Sequence, residues 1–205
     1  MLDYTLEQEL IDKGYGYVCG VDEAGRGPLC GPVVAAAVIL PCGLYIEGLN
    51  DSKKLTEKKR EMLFDIICEN AIAYSITYGT VEQINQTNIL EATLDAMHRA
   101  VDTLNIKANY ALIDGNIARG FSIDANPVIH GDSISPSIAA ASILAKVTRD
   151  RLCVELDAQY PMYGIAKHKG YGTKVHMEAL RKYGPAPIHR TKFIRFLDGD
   201  KNENR

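Results

Sequence analysis

The stretch YVCGVDEAGRGPLCGPVVAAAVIL, residues 17–40, carries the reading that decides the fold. Two apolar runs of strand length, Tyr17–Val21 and Val33–Leu40, are rich in valine and flank a turn marked by Gly and Pro between Gly25 and Pro32. That is the pattern of a hairpin or near-hairpin of buried central strands. Two adjacent acids, Asp22 and Glu23, stand where the first run stops. Neighbouring side chains on a regular strand face opposite ways. For both acids to share one site, the chain is therefore expected to leave strand geometry there, which Gly25 and Gly27 would permit.

Working outward, Thr56 can cap a helix whose Leu63, Phe64, Ile66 and Ile67 cluster on one side. Residues 71–78 alternate Ile72, Tyr74, Ile76 and Tyr78 as a strand does. Leu90, Leu94, Met97, Val101 and Leu104 recur at spacings of four and three, a helical stripe aimed at a core. Tyr110–Ile113 reads as a short strand ending at Asp114-Gly115, and Pro127–Ile129 as another. Ser135, as a cap, with Pro136 at the first helical position opens a helix to about Asp157. Residues 164–172 read as loop and 174–182 as a short helix, before Gly184-Pro185-Ala186-Pro187 breaks the chain. Strands first, then strands interleaved with helices, predict an α/β domain: a mixed β-sheet flanked by helices, with a helical C-terminal region.

A chain of 205 residues, 46% apolar, suits one domain with a sizeable core. We expect an α/β core over about residues 1–160, a basic substrate-binding region over about 161–196 and a polar tail over 197–205. The net charge of −3 conceals an asymmetry: residues 167–195 hold eight Lys or Arg against the single acid Glu178, so this stretch is +7 and the rest is −10. Such a split predicts a basic face. Five cysteines without a C-x-x-C pair signal neither a disulfide framework nor a zinc site and fit a reducing cytoplasm. The N-terminus has no signal-peptide pattern, and the longest apolar run, Val33–Leu40, is far below the ~20 residues of a membrane helix. A cytoplasmic monomer without membrane contact is expected.

Four carboxylates, Asp22, Glu23, Asp114 and Asp132, sit where apolar strand-like segments stop. Crowded carboxylates repel one another and resist ionisation, so divalent cations among them best explain such a cluster, and hard oxygen ligands suit Mg²⁺ or Mn²⁺. Spacing alone also allows a turn or cap role for each, because Asp114-Gly115 and Gly131-Asp132 are ordinary turn pairs. Lys53 and Lys54, in a polar loop, and Lys146 and Arg149, three apart on the long helix, can hold phosphates; a solvated face, with Lys146 paired to Asp150, is the alternative. In the basic stretch, His168, Tyr171 and Tyr183 place rings between the charges, including Lys169, as strand binding prefers.

The segments GVDEAGRGP (residues 20–28), NDSKKL (50–55), IDGN (113–116), Gly131-Asp132 with SIAAASILAK (137–146), and HKGYGT (168–173) together resemble the bacterial ribonuclease HII family in order and spacing. Gly-Arg-Gly at residues 25–27 separates this pattern from that of ribonuclease HIII. The resemblance implies a ribonuclease H-like fold and hydrolysis of the RNA strand of RNA/DNA hybrids. It also implies incision at ribonucleotides embedded in duplex DNA by two divalent ions, leaving 5′-phosphate and 3′-hydroxyl ends. Carried over, the metal ligands and catalytic acids are Asp22, Glu23, Asp114 and Asp132. Ribose selection falls to Gly25, Arg26 and Gly27, through backbone amides and carbonyls, together with Tyr171. His130 stands where the family often has lysine. Two other classes share these features: a transposase-like strand transferase, which would act on all-DNA substrate, and a non-catalytic binding module, which would bind duplex without cutting.

Overall fold

The computed structural model describes residues 2–197. The preceding helix α1 (Thr5–Asp12), too short to announce itself by periodicity, leads into β1 (Val18–Ala24) and β2 (Val33–Ile39), the antiparallel pair that residues 17–40 predict. β2 is buried along its whole length, which is why a run of Val and Ala, not an alternation, encodes it. β1 differs from the expectation in one respect that matters. It does not stop at Val21 but pairs on through Asp22, opposite Ala36, and Glu23, opposite Ala35, to Ala24. The two acids therefore point to opposite faces of the sheet, and the chain leaves the strand only at Gly25, whose φ is +97°.

Thr56 accepts from Lys59 N–H and opens α2 (Glu57–Asn70), after which β3 (Ala73–Gly79) pairs antiparallel with β2. A capping box of Thr80 and Gln83 starts the short α3 (Val81–Gln86), which the sequence reading lacks. Asn88 caps α4 (Ile89–Asp102), and Leu104 lies beyond its end yet still in the core. β4 (Tyr110–Asp114) runs parallel to β1, and β5 (Asp124–Val128) parallel to β4, giving the order β3-β2-β1-β4-β5. β5 begins earlier than Pro127, and that proline is tolerated because the strand lies at the sheet edge. Ser135 caps α5 (Pro136–Gln159) as predicted.

α4 covers one face, packing on Cys19, Val21, Ala35, Ala37 and Ile113; α5 and α2 cover the other, against Val34, Ala36 and Val38. α5 is apolar around most of its first half because it runs between the sheet and its neighbours. Residues 164–172, expected as loop, include one helical turn, α6 (Ile165–His168), bounded by left-handed Gly164 and Lys169; four residues are too few for a period to show. Thr173 caps α7 (Lys174–Tyr183). α7 and the segment to Leu197 close a small core of Tyr163, Ile165, Ala179, Leu180 and Ile194 that also takes in Cys30 and Cys153. Of the polar tail expected over residues 197–205, Leu197 packs against this core and the rest lies outside the described residues. Among the described residues, no helix is long and apolar enough to cross a membrane.

Candidate active site

Parallel β1 and β4 bring their C-terminal ends side by side, which sets Asp22 beside Asp114. Asp132 comes from a 3₁₀ turn, Gly131–Ser133, between β5 and α5, and its N–H donates to the Asp114 carboxylate at 3.4 Å. Asp22, Asp114 and Asp132 each offer one oxygen within 4.8 Å of the others. Glu23 leaves from the other face of β1 and lies outside this triad, at the wall of the same cleft, with its carboxylate 3.3 Å from Arg26. The cleft, about 270 Å³, is also lined by Gly25, Gly27, Lys53, Lys169 and Tyr171.

The electrostatics are those of an incomplete charge balance. Burial, then the charges of Glu23 and Asp114, push the Asp22 carboxyl well above the usual carboxylate range, despite a hydrogen bond with Ser142. Burial also raises Glu23 against the pull of Arg26, and burial with the charge of Asp132 raises Asp114. Lys53 reaches Asp132 at 3.2 Å; burial lowers its pKa, but Asp132 and Asp22 outweigh burial and raise it overall. Among these influences, Lys53 and Arg26 are the cations that pull against the raised carboxylates. The residues present fit divalent cations of the hard, oxygen-loving kind, and Asp22, Asp114 and Asp132 would hold them.

The remaining predicted residues divide into two groups. Tyr171 is half exposed, and a Cβ on Gly27 would lie 3.3 Å from its ring, so glycine is what lets loop and ring meet. Lys54 reaches Ser133 Oγ at 3.1 Å and Asp51 at 3.6 Å, next to the triad. Lys169 lines the cleft while pairing with Glu57 at 3.5 Å, and Lys146 pairs with Asp150 at 2.6 Å, the helical ion pair given above as the alternative to phosphate contact. Arg149 and His168 are engaged by the protein's own groups, although Arg149 also lines the cleft. Arg149 is 2% exposed, donates from Nη2 to Cys30 O at 2.8 Å and from Nη1 to Cys153 Sγ, and so holds the loop from beneath. Both His168 ring nitrogens are engaged, with Tyr163 O at 2.9 Å and Gly170 N–H at 3.2 Å, and the ring stacks on His176 at 4.5 Å.

Sequence reasoning misses Ser52, Ser142 and Arg190. Ser52 and Ser142 share a 2.7 Å hydrogen bond beside Asp22; a polar residue in the alanine-rich run 137–146 was the available signal. Arg190 gives no such signal, because composition does not separate it from the exposed Lys192 and Arg195. A second group with ligand-type atoms, Cys30, His176 and His189, also lies within 4.8 Å. A cation there is opposed by the charges of Arg149 and Arg190 acting on Cys30, and the His176 and His189 Nε2 atoms already pair at 3.2 Å.

Comparison with known proteins agrees with this geometry. The family model described as Ribonuclease HII matches residues 19–196. The ribonuclease HII of Acholeplasma laidlawii is 56% identical over 189 residues, 92% of this chain and 93% of that one; the ribonuclease HII of Ruminiclostridium cellulolyticum is 54% identical over 191 residues, 93% and 75%. The crystal structure of ribonuclease H2 from Pyrococcus horikoshii superposes with a TM-score of 0.72 at 28% identity, covering 92% of this chain and all of that one. Bst-RNase HIII in complex with Mn²⁺ shares the fold, with a TM-score of 0.65 at 22% identity over 89% and 64% of the two chains. A mixed sheet of this order, a carboxylate triad drawn from β1, β4 and the turn after β5, and a family match across nearly the whole chain lead to one assignment: the chain belongs to the ribonuclease HII family.

Proposed function

We propose that this ribonuclease hydrolyses the RNA strand of RNA/DNA hybrids and incises at ribonucleotides embedded in duplex DNA. It leaves 5′-phosphate and 3′-hydroxyl ends and uses two Mg²⁺ or Mn²⁺ ions. The observation that carries the reading is the triad: three carboxylate oxygens within 4.8 Å, with raised pKa values at Asp22 and Asp114. When bound, the divalent ions would lower the pKa of a water molecule and stabilise the leaving oxygen. Asp22, Asp114 and Asp132 hold them in place, with Glu23 adding charge from the adjoining wall. Lys53, whose side chain is 74% exposed, can swing from Asp132 to a phosphate. Gly27 and Tyr171 face the sugar, where the 2′-hydroxyl separates a ribonucleotide from a deoxyribonucleotide. In this reading the chain acts as a single-domain monomer, in the cytoplasm, on duplex nucleic acid.

The test is incubation of a labelled duplex containing one ribonucleotide with Mg²⁺ and, separately, with EDTA. Incision at the ribonucleotide in Mg²⁺ alone is expected. An intact strand in both samples sinks the proposal, and cleavage of an all-DNA duplex favours the strand transferase alternative.

A further inference from the structure

Arg190 is wholly buried, yet its guanidinium meets no carboxylate among the described residues. It donates instead to four main-chain carbonyls of one loop. Nε bonds Gly31 O at 2.9 Å, Nη1 bonds Arg26 O and Pro28 O at 2.8 Å each, and Nη2 bonds Gly25 O at 2.6 Å. Arg149 adds Cys30 O from below. Five carbonyls between residues 25 and 31 are thereby turned inward onto two buried cations. Burial and Arg149 pull Arg190 down to about 9, so it remains charged at neutral pH.

The inward carbonyls have a geometric consequence. No peptide bond here is cis, and in a trans peptide the N–H points away from the preceding C=O. Fixing Gly25 O and Arg26 O inward therefore fixes Arg26 N–H and Gly27 N–H outward. Both residues are exposed and line the cleft, and among the described residues neither N–H has a hydrogen-bond partner. The loop thus offers two adjacent donors, while the carbonyls at 25 and 26, counted above among ribose contacts, each accept from Arg190.

We propose that Arg190 is the positioning residue of ribose selection, holding the loop so that Arg26 N–H and Gly27 N–H donate to the 2′-hydroxyl oxygen of the bound strand. This rests on the function proposed above. Two donors converging on one lone-pair oxygen distinguish ribose from deoxyribose without any side chain, and a phosphate oxygen is the other acceptor such a pair can take. Lysine at 190 would keep the charge but cannot span four carbonyls.

The experiment compares Arg190→Lys and Arg190→Ala with the unaltered protein. Affinity is measured in EDTA for a duplex with one ribonucleotide and for the same duplex in all-DNA form, beside cleavage in Mg²⁺ and a thermal melt. Arg190→Lys should lose about tenfold of the preference for the ribonucleotide duplex, roughly the effect of one to two hydrogen bonds, while all-DNA affinity stays within about twofold. Guanidinium ion should restore part of that preference to Arg190→Ala. Equal weakening on both duplexes would assign the donors to phosphate and overturn the proposal, as would a folded Arg190→Lys with its preference intact. If neither variant folds, the unaltered protein decides. The Arg26 and Gly27 amide proton resonances should move downfield on binding the ribonucleotide duplex and not the all-DNA one, and identical shifts on both overturn the proposal. An unaltered protein that binds with this preference but never cuts would instead refute the function proposed above.

Discussion

Asp22 shows how a single side chain can oppose the fold that positions it. Its raised pKa means that the native state binds more protons than the unfolded chain, so the metal-free protein loses stability as pH climbs from the ordinary aspartate value, about 4, through the higher native one. Asp22→Asn should therefore abolish cleavage yet raise the metal-free melting temperature at neutral pH by roughly 2–4 °C. Near-normal turnover in that variant would remove Asp22 from the ligands. Tyr171 and Gly27 make a second prediction at this scale. Tyr171→Ala should slow cleavage at a lone ribonucleotide more than on an all-RNA strand, where other registers compensate, and Gly27→Ala should slow both. A Cβ at 27 must displace the Tyr171 ring by a few tenths of an ångström, so the double variant should fall short of the sum of the singles. Additive losses would mean that the two act independently.

Among elements, the crossing of β1 over the start of α5 governs the site, because it places Asp22 against Ser142 and the turn that carries Asp132. A Cβ on Gly20 would sit 2.2 Å from Ile138 N and Ser137 C, backbone against backbone, where nothing can yield. Gly20→Ala should cost about 3 kcal/mol or more in denaturant unfolding, and a loss below about 1 kcal/mol would show that the crossing is loose. Glu7 fastens the same crossing from α1, accepting from Ser135 Oγ at 2.5 Å and Ser137 N–H at 3.2 Å. These elements were legible to differing degrees. The stripe of α4 and the caps at Thr56 and Ser135 are local signals and appear where predicted. α1, α3 and α6 span eight, six and four residues, too short for a period to stand out. The continuation of β1 through Asp22 and Glu23 is invisible locally, because it is set by pairing with β2, not by propensity.

For the whole molecule, the basic stretch and the buried histidines make separate predictions. Duplex affinity should fall steeply with salt, and neutralising the exposed Lys167, Lys174 and Arg195 together should flatten that slope. An unchanged slope would leave the stretch a solvated face. Burial lowers His189 to about 4, so the native state binds fewer protons there than the unfolded chain. Its contribution is intact above the unfolded value, about 6.5, and lost as pH falls toward 4. Melting temperature measured in the Asp22→Asn background, free of that residue's opposing effect, should drop across this window, and His189→Gln should make the drop shallower. Equal slopes would place the acid sensitivity elsewhere.

By itself the sequence determined the class of sheet and the long helices, and it singled out four candidate acids and a glycine-marked loop, because hydrophobic period, cap chemistry and family motifs are all written along the chain. Only the tertiary structure decided that Asp22 and Glu23 face opposite ways, that Arg149 and His168 turn inward, and that Arg190 shapes the loop at residues 25–31 from 159 positions away. A cation's role depends on whether carbonyls or water surround it, and that is settled by which distant segments pack around it.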